Sequence, residues 1–316
     1  MIIKALTNVL YDDASEYTFD VLNESLFLEK TLTSLAHLMK GEFEDFLFFI
    51  LSSHNPNVKP SSINYESSKK KILIFISEES GTTPQHLSQN YFAIFKSYII
   101  SDKLLVNNIF NFSLGCVRDV PELPLKPLNT RKYFVFFSGS LNSNRMHFYN
   151  AFIPWLKSKK RTILTSFINH QKILIRLQPN FSKRFPSSYI KFTNGFKKGL
   201  KPEIYGQFIA DSKIVLCPKG GKSAESFRHN EAMRVGCVII SEKLPKNHFY
   251  ENSPIIQVDN WTEGLQKTAE LLENVADLQK ISNATQKWWR QKCSPEAVAK
   301  YMFSNIQKVS KKCLAL

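Results

Sequence analysis

Unbroken apolar runs alternate along this chain with segments whose apolar residues recur every three to four positions. DFLFFILSS (45–53) and KILIFIS (71–77) show no apolar–polar alternation, the pattern of strands covered on both faces of a parallel sheet. ESLFLEKTLTSLAHLMK (24–40) predicts one amphipathic helix. QNYFAIFKSYII (89–100) predicts a second, with strand as the alternative because of its aromatic and β-branched residues, and NIFNFSL (108–114) predicts a short strand. Pro121, Pro124 and Pro127 then interrupt the pattern, since proline lacks the N–H that a helix interior or central strand needs.

The pattern resumes with a strand, YFVFF (133–137), and a helix, RMHFYNAFIPWL (145–156). TILTSF (162–167) and KILIRL (172–177) are strand candidates, and residues 178–206 read as a long loop. IVLCP (214–218), CVIIS (237–241) and PIIQV (254–258) predict further strands, and SFRHNEAMRV (226–235) a helix. TEGLQKTAELLENVADLQKI and SPEAVAKYMFSNIQKV predict two long amphipathic helices. Strands alternating with helices predict parallel βαβ units and an α/β fold. Residues 120–131 are the expected linker between a domain at 1–125 and one at 126–316, whose last helix either stays with it or packs back on the first domain.

Charge supports that division. Residues 1–128 carry 11 Lys+Arg against 15 Asp+Glu, a net of −4, whereas residues 129–316 carry 31 against 12, a net of +19. The basic half should attract phosphates of nucleic acid, a nucleotide or anionic lipid. Its basic runs at 157–161 and 197–201 fit peripheral contact with an anionic membrane surface. No apolar run reaches eighteen residues and the first one is too short for a signal peptide, so a cytoplasmic protein is expected. The five cysteines form no CxxC pair, which argues against a disulfide framework or a zinc ribbon. The histidines show no metal-ligand spacing and no DxD triplet occurs, so neither a metal nor another cofactor is expected.

CPKGGKSAESFRHNEAMRVGC (217–237) is the densest chemical stretch. Gly221-Lys222-Ser223 resembles the end of a P-loop, but Leu216 stands where that motif needs glycine. The arrangement still suits a phosphate. Gly220 and Gly221 let the backbone approach a ligand, Ser223 or Ser226 can cap the following helix, and that helix's N-terminus favours an anion. Arg228 can clamp two phosphate oxygens with its planar fork, Glu231 lies on the same face and suits a ribose diol, and Gly236 fits a left-handed C-terminal cap. A surface helix with an ordinary charge pair is the bland alternative.

Cys217-Pro218-Lys219-Gly220, Ser226-Phe227-Arg228-His229-Asn230-Glu231-Ala232 and Gly236-Cys237-Val238-Ile239 resemble the C-terminal signature of exostosin-like glycosyltransferases. YFVFFSGS followed by Arg145 resembles that family's first C-domain strand and glycine turn. The match covers roughly residues 130–262, and departs from the family where Ile239-Ile240 replaces a frequent proline. The resemblance implies a GT-B fold, two Rossmann-like domains facing across a cleft, with a nucleotide sugar on the second domain and a saccharide or lipid-linked saccharide acceptor on the first. It implies inverting, metal-independent transfer, and the Lys-, Ile-, Phe- and Asn-rich composition points to a bacterial source, hence to surface polysaccharide, capsule or lipopolysaccharide synthesis. Arg228, Ser226, Lys219, Gly220 and Gly221 would line the diphosphate, with Gly139, Ser140 and Arg145 opposite and Glu231 on the ribose. A basic nucleic-acid-binding protein and an inactive GT-B binding module are the competitors; no nucleic-acid reader motif is present.

Inversion needs a base beside the acceptor hydroxyl. KILIFIS runs straight into Glu78-Glu79, which makes Glu79 the first candidate, Glu78 the second and Asp119 a distant third. His54, in SSHNP, either faces the cleft or is a loop residue; His229 reads as packing; and Trp288-Trp289 reads as packing or docking on the first domain rather than a membrane anchor.

Overall fold

The computed structural model describes residues 6–101, 108–153, 169–195 and 198–314. The chain divides into two compact units. Unit 1 is Met1–Arg118, Pro245–Asn252 and Trp289–Leu316; unit 2 is Asp119–Leu244 and Ser253–Trp288.

Unit 1 is built on five parallel strands, β1 (Val9–Tyr11), β2 (Phe46–Ser52), β3 (Lys70–Ile76), β4 (Ala93–Lys96) and β5 (Ile109–Asn111), which neighbour one another in chain order. Every residue of β2 is buried, so its sequence cannot alternate. Leu47, Phe49, Leu51, Leu73, Phe75 and Ile94 form a core on one face with Leu87 and Tyr91. The helix α1 (Ser25–Met39) connects β1 to β2, and the chain's last helix, α8 (Pro295–Leu314), packs along it. The helix expected over 89–100 is instead β4. Ala93, Ile94 and Phe95 are fully buried in a strand between β3 and β5, so cross-strand packing overrides the helical spacing.

Unit 2 is a second five-stranded parallel sheet, of β6 (Tyr133–Ser140), β7 (Tyr189–Thr193), β8 (Ser212–Cys217), β9 (Val238–Glu242) and β10 (Ile256–Val258). The order is β10-β9-β8-β6-β7. The chain steps outward from β6 to β7 and then crosses back to β8 on the other side of β6. That reversal is a topological switch point, where open α/β sheets hold ligands beyond their strands' C-terminal ends. Phe148 fixes the core beneath: its ring centroid is 4.8 Å from that of Phe137 and 4.4 Å from that of Trp261. The helices are α2 (Met146–Ala151), α3 (Asn169–Arg176), α4 (Pro202–Ala210), α5 (Phe227–Arg234), α6 (Trp261–Glu273) and α7 (Val275–Trp288).

Three expectations for this half are corrected. KILIRL is helical, within α3 and the residue after it: adjacent Leu174 and Ile175 both pack on the core while Ile173 and Leu177 are exposed, which the alternation of a strand does not allow. The expected loop 178–206 contains β7 and the start of α4. The long helix expected over 262–281 is two, broken at Asn274 (φ −108°, ψ 84°), whose Oδ1 then accepts the Asp277 N–H at 3.1 Å. TILTSF lies outside the described residues, as do 157–161.

The expected boundary near residue 125 also moves. The proline-rich segment packs within unit 2, where Arg234 Nη2 donates to the Pro121 carbonyl at 2.8 Å and Lys126 pairs with Asp211 at 2.5 Å. Satisfied carbonyls make this a docked strap rather than a free linker. The final helix belongs to unit 1 because Val298, Ala299, Met302 and Ile306 are buried there. Among the described residues, no helix is long and apolar enough to cross a membrane.

Candidate functional site

The dense stretch folds as its spacing requires. β8 ends at Cys217, the glycine turn follows, and α5 starts at Phe227 with Ser226 as N-cap. His229 closes a capping box by accepting the Ser226 N–H on Nδ1 at 3.2 Å, and its Nε2 lies 2.8 Å from the Ser241 hydroxyl. Burial pushes the His229 imidazole down to about 4, so it is a neutral capping group. Gly236 ends the helix at φ 66°: its N–H reaches the Met233 carbonyl at 3.0 Å and the Cys237 N–H reaches that of Ala232 at 2.9 Å, a Schellman cap. Buried Arg131 ties this helix end to β8, donating to the Val235 carbonyl at 2.6 Å and to that of Ser212 at 2.8 Å. Its place beside the proline-rich segment gave no hint of that role.

Two arginines converge above this turn, at the switch point. A Cβ on Gly139 would stand 3.1 Å from Nη1 of Arg145 and 3.1 Å from Nη2 of Arg228, so only glycine leaves both guanidiniums undisturbed. Arg228 Nε donates to the Tyr205 hydroxyl at 3.1 Å and Nη2 to the Ser138 carbonyl at 2.6 Å. Arg145 Nη1 donates to the Ser140 carbonyl at 2.8 Å and lies 3.3 Å from its hydroxyl. Both guanidiniums lie near the Phe137 ring, at 4.9 Å for Arg228 and 5.8 Å for Arg145. Each arginine is 8% exposed, yet Arg228 Nη1 and Arg145 Nε are buried with no hydrogen-bond partner.

The electrostatics follow. Burial, and then the neighbouring charge of Arg228, pushes Arg145 down to about 10. Burial also works against the charge on Arg228, but Tyr205, Cys217 and Glu231 more than offset it, and its pKa is raised. Both remain cations at neutral pH. Two buried like charges with spare donors form a site that an anion with several acceptor oxygens completes.

The opposite wall is pinned by two residues the sequence did not single out. Asn142 Nδ2 donates to the Gly220 carbonyl at 2.8 Å, and Asn144 Nδ2 donates to Gly220 at 3.1 Å and Gly221 at 2.7 Å. A Cβ on Gly220 would stand 2.7 Å from Arg145 Nη2, so the turn approaches the cation closely. The structure thus brings together Gly139, Ser140, Arg145, Gly220, Gly221 and Arg228. Ser226 serves the cap. Glu231 is buried on α5, and the Lys219 N–H donates to Glu242 Oε1 at 3.4 Å.

The acidic candidates for a base fare differently. Glu78 is fully buried: Oε1 accepts the Ser80 N–H at 2.6 Å, and Oε2 pairs with Lys96 at 2.9 Å and accepts from Thr82 Oγ1 at 3.3 Å. Burial alone would raise its pKa, but the bonds from Ser80 and Lys96 outweigh it and the carboxyl is held low. Glu78 is therefore a structural anion rather than a base. Glu79 is partly exposed in the turn after β3, and Asp119 is exposed at the start of unit 2 rather than in the first domain. Among the described residues, no group of three or more His, Cys, Asp or Glu is placed to hold a metal ion.

No protein-family model and no curated protein matches the chain. Solved structures do resemble it. One is a glycosyltransferase from Rickettsia africae ESF-5, with a TM-score of 0.53, 14% identity, and coverage of 94% of this chain and 84% of that one. Another is a mutant of S. aureus TarM in complex with fondaparinux, alpha-GlcNAc-glycerol and UDP, with a TM-score of 0.50, 11% identity, and coverage of 86% of this chain. The match spans 58% of the TarM chain, less than two thirds of its length. The fold is GT-B.

Proposed function

We propose that this protein is a glycosyltransferase whose second unit holds a nucleoside-diphosphate sugar by its diphosphate. The observation that carries this reading is the Arg145–Arg228 pair, buried at the switch point with unpaired donors. Breaking the bond between the anomeric carbon and the diphosphate leaves negative charge on the leaving group. Preorganised guanidiniums stabilise that charge more than they stabilise the ground state. The α5 N-terminus, Ser226, Lys219 and the Gly220–Gly221 turn line the same anion, and Glu231 accepts from the ribose.

The motif resemblance to exostosin-like enzymes further supports metal-independent transfer with inversion to a saccharide or lipid-linked saccharide acceptor. The setting would be bacterial surface polysaccharide, capsule or lipopolysaccharide synthesis, in the cytoplasm at an anionic membrane surface. The TarM structure is a UDP complex, which makes UDP-sugars the first donors to try.

Thermal shift against UDP-, GDP-, dTDP- and CMP-sugars tests the reading, because ligand binding raises apparent stability by mass action. A nucleoside-diphosphate sugar should raise Tm and be transferred in EDTA, with an inverted anomeric proton in the product's NMR spectrum. No shift with any of them contradicts the donor site. Loss of transfer on chelation, or a retained anomer, contradicts those parts alone.

A further inference from the structure

The outward side of α3, in the second unit, takes no part in the donor site. The inward side of this helix is fixed. Leu174 and Ile175 pack on the core, and the Leu174 carbonyl accepts the Tyr149 hydroxyl at 3.0 Å. One turn on, Gln178 clamps Phe192 of β7: its Nε2 donates to the Phe192 carbonyl and its Oε1 accepts the Phe192 N–H, each at 3.1 Å. At about 3.6 residues per turn, Lys172, Ile173, Arg176 and Leu177 fall on the opposite side, and all four are exposed.

That side combines two features. Ile173 is 50% exposed and Leu177 74%, the highest value for a large apolar side chain among the described residues. The two stand four residues apart and so form one aliphatic strip, with Lys172 and Arg176 as a cationic strip beside it. The turn that follows α3 carries two more exposed cations, Lys183 and Arg184. Residues 123–202 hold 16 Lys+Arg and no Asp or Glu. Elsewhere in the unit, surface cations find carboxylates, as Lys126 does at Asp211, Lys243 at Asp259 and Lys267 at Glu270. Lys172, Arg176, Lys183 and Arg184 are in no ion pair among the described residues.

A partner that answers both strips is anionic at its surface and apolar beneath it. An anionic bilayer has that layout. Nucleic acid answers the charge but leaves Ile173 and Leu177 in water, because its bases stack on aromatic rings rather than on aliphatic chains.

We propose that the outward side of α3 docks the second unit on an anionic bilayer, with Ile173 and Leu177 entering among the acyl chains and Lys172 and Arg176 meeting headgroup phosphates. This rests on the membrane setting proposed above and gives that setting a surface. A helix of eight residues buries little apolar area, so the attachment is reversible and weakens as salt screens the cations.

Sedimentation of the full chain with vesicles of phosphatidylcholine alone, and of equal parts phosphatidylcholine and phosphatidylglycerol, tests the proposal. The comparison is between the wild type, a Lys172→Gln/Arg176→Gln double variant and an Ile173→Ser/Leu177→Ser double variant. The wild type should pellet with the anionic vesicles, stay in solution with the neutral ones, and be released as salt rises. Removing the two cations should weaken binding roughly 25-fold, about fivefold for each. The serine pair should weaken it at least about tenfold and keep the wild type's salt dependence. All four side chains are exposed, so both variants should keep the wild-type Tm and its shift with a nucleotide sugar. Unchanged vesicle binding in either double variant overturns the inference and leaves the membrane setting standing, as does a wild type that binds duplex DNA more tightly than anionic vesicles in the same buffer. A wild type that pellets with neither vesicle overturns the inference and the membrane setting together, while the nucleotide-sugar shift reports on the donor site separately.

Discussion

The two sheets have the same number of parallel strands and meet charge at their C-terminal edges in opposite ways. In the first, strands neighbour one another in chain order and, among the described residues, no reversal opens a switch point. Its buried charges are answered from within. Asp12 accepts the Ser61 and Ser62 N–H groups, each at 2.9 Å, and Glu78 is matched by Lys96. In the second, the reversal at β6 gathers two guanidiniums whose donors remain partly unspent. A charge satisfied locally stabilises the fold, whereas an enclosed charge left unsatisfied stores interaction energy for a ligand.

Removing the unspent charge should have the largest effect. Arg228→Ala should lower transfer by about 2–4 kcal/mol in the transition state, roughly 30- to 1000-fold. Arg228→Lys should recover only part of that, because an ammonium keeps the charge but not the planar fork. Steady-state kinetics of both variants decide it: wild-type turnover in the alanine variant would erase the contrast between the sheets.

The first sheet's counterpart is a pH effect. Glu24 is raised to about 7 by burial, above the range it has in the unfolded chain. Its contribution is therefore full below about pH 4.5 and lost as pH rises through 7, a change of up to about 3 kcal/mol. Urea unfolding of Glu24→Gln at pH 5 and pH 8 should show a flatter pH dependence than the wild type. An unchanged slope would mean that Glu24 ionises freely.

Smaller changes sharpen the account of the second sheet. Gly236→Ala puts a side chain on a left-handed backbone and drives its Cβ into the Gln286 side chain. It should cost about 1–2 kcal/mol of stability in denaturant melts without altering donor affinity per folded molecule. Asn144→Ala releases one tether on the glycine turn, and calorimetry should show donor affinity weakened about threefold, near the net worth of one hydrogen bond. A stronger effect than that of the Arg228 variants would place the main determinant in the turn.

Much of the second unit was legible because its signals are local. A buried run ending in Pro218, two glycines, a capping serine and an arginine in the first turn each have one favoured conformation. Arg145 and Gly139 came from resemblance, and only the strand order reveals why they meet Arg228. Arg131, Tyr205, Asn142 and Asn144 act on partners far along the chain, so periodicity gave no sign of them. In the first unit, Glu78 looked like a candidate base because the sequence could not show Lys96 buried beside it. The helix expected at 89–100 failed for a similar reason, since burial between two strands outweighs helical spacing.

The central claim is that the paired arginines of the second sheet are a diphosphate site. Calorimetric titration of UDP, UMP and uridine into the wild type and Arg145→Gln tests it most directly. The wild type should prefer UDP over UMP and bind uridine weakest, and Arg145→Gln should lose at least about tenfold in UDP affinity, or 1.4 kcal/mol, while binding uridine as before. Equal affinity for UDP and uridine in the wild type, or undiminished UDP binding in the variant, would contradict it.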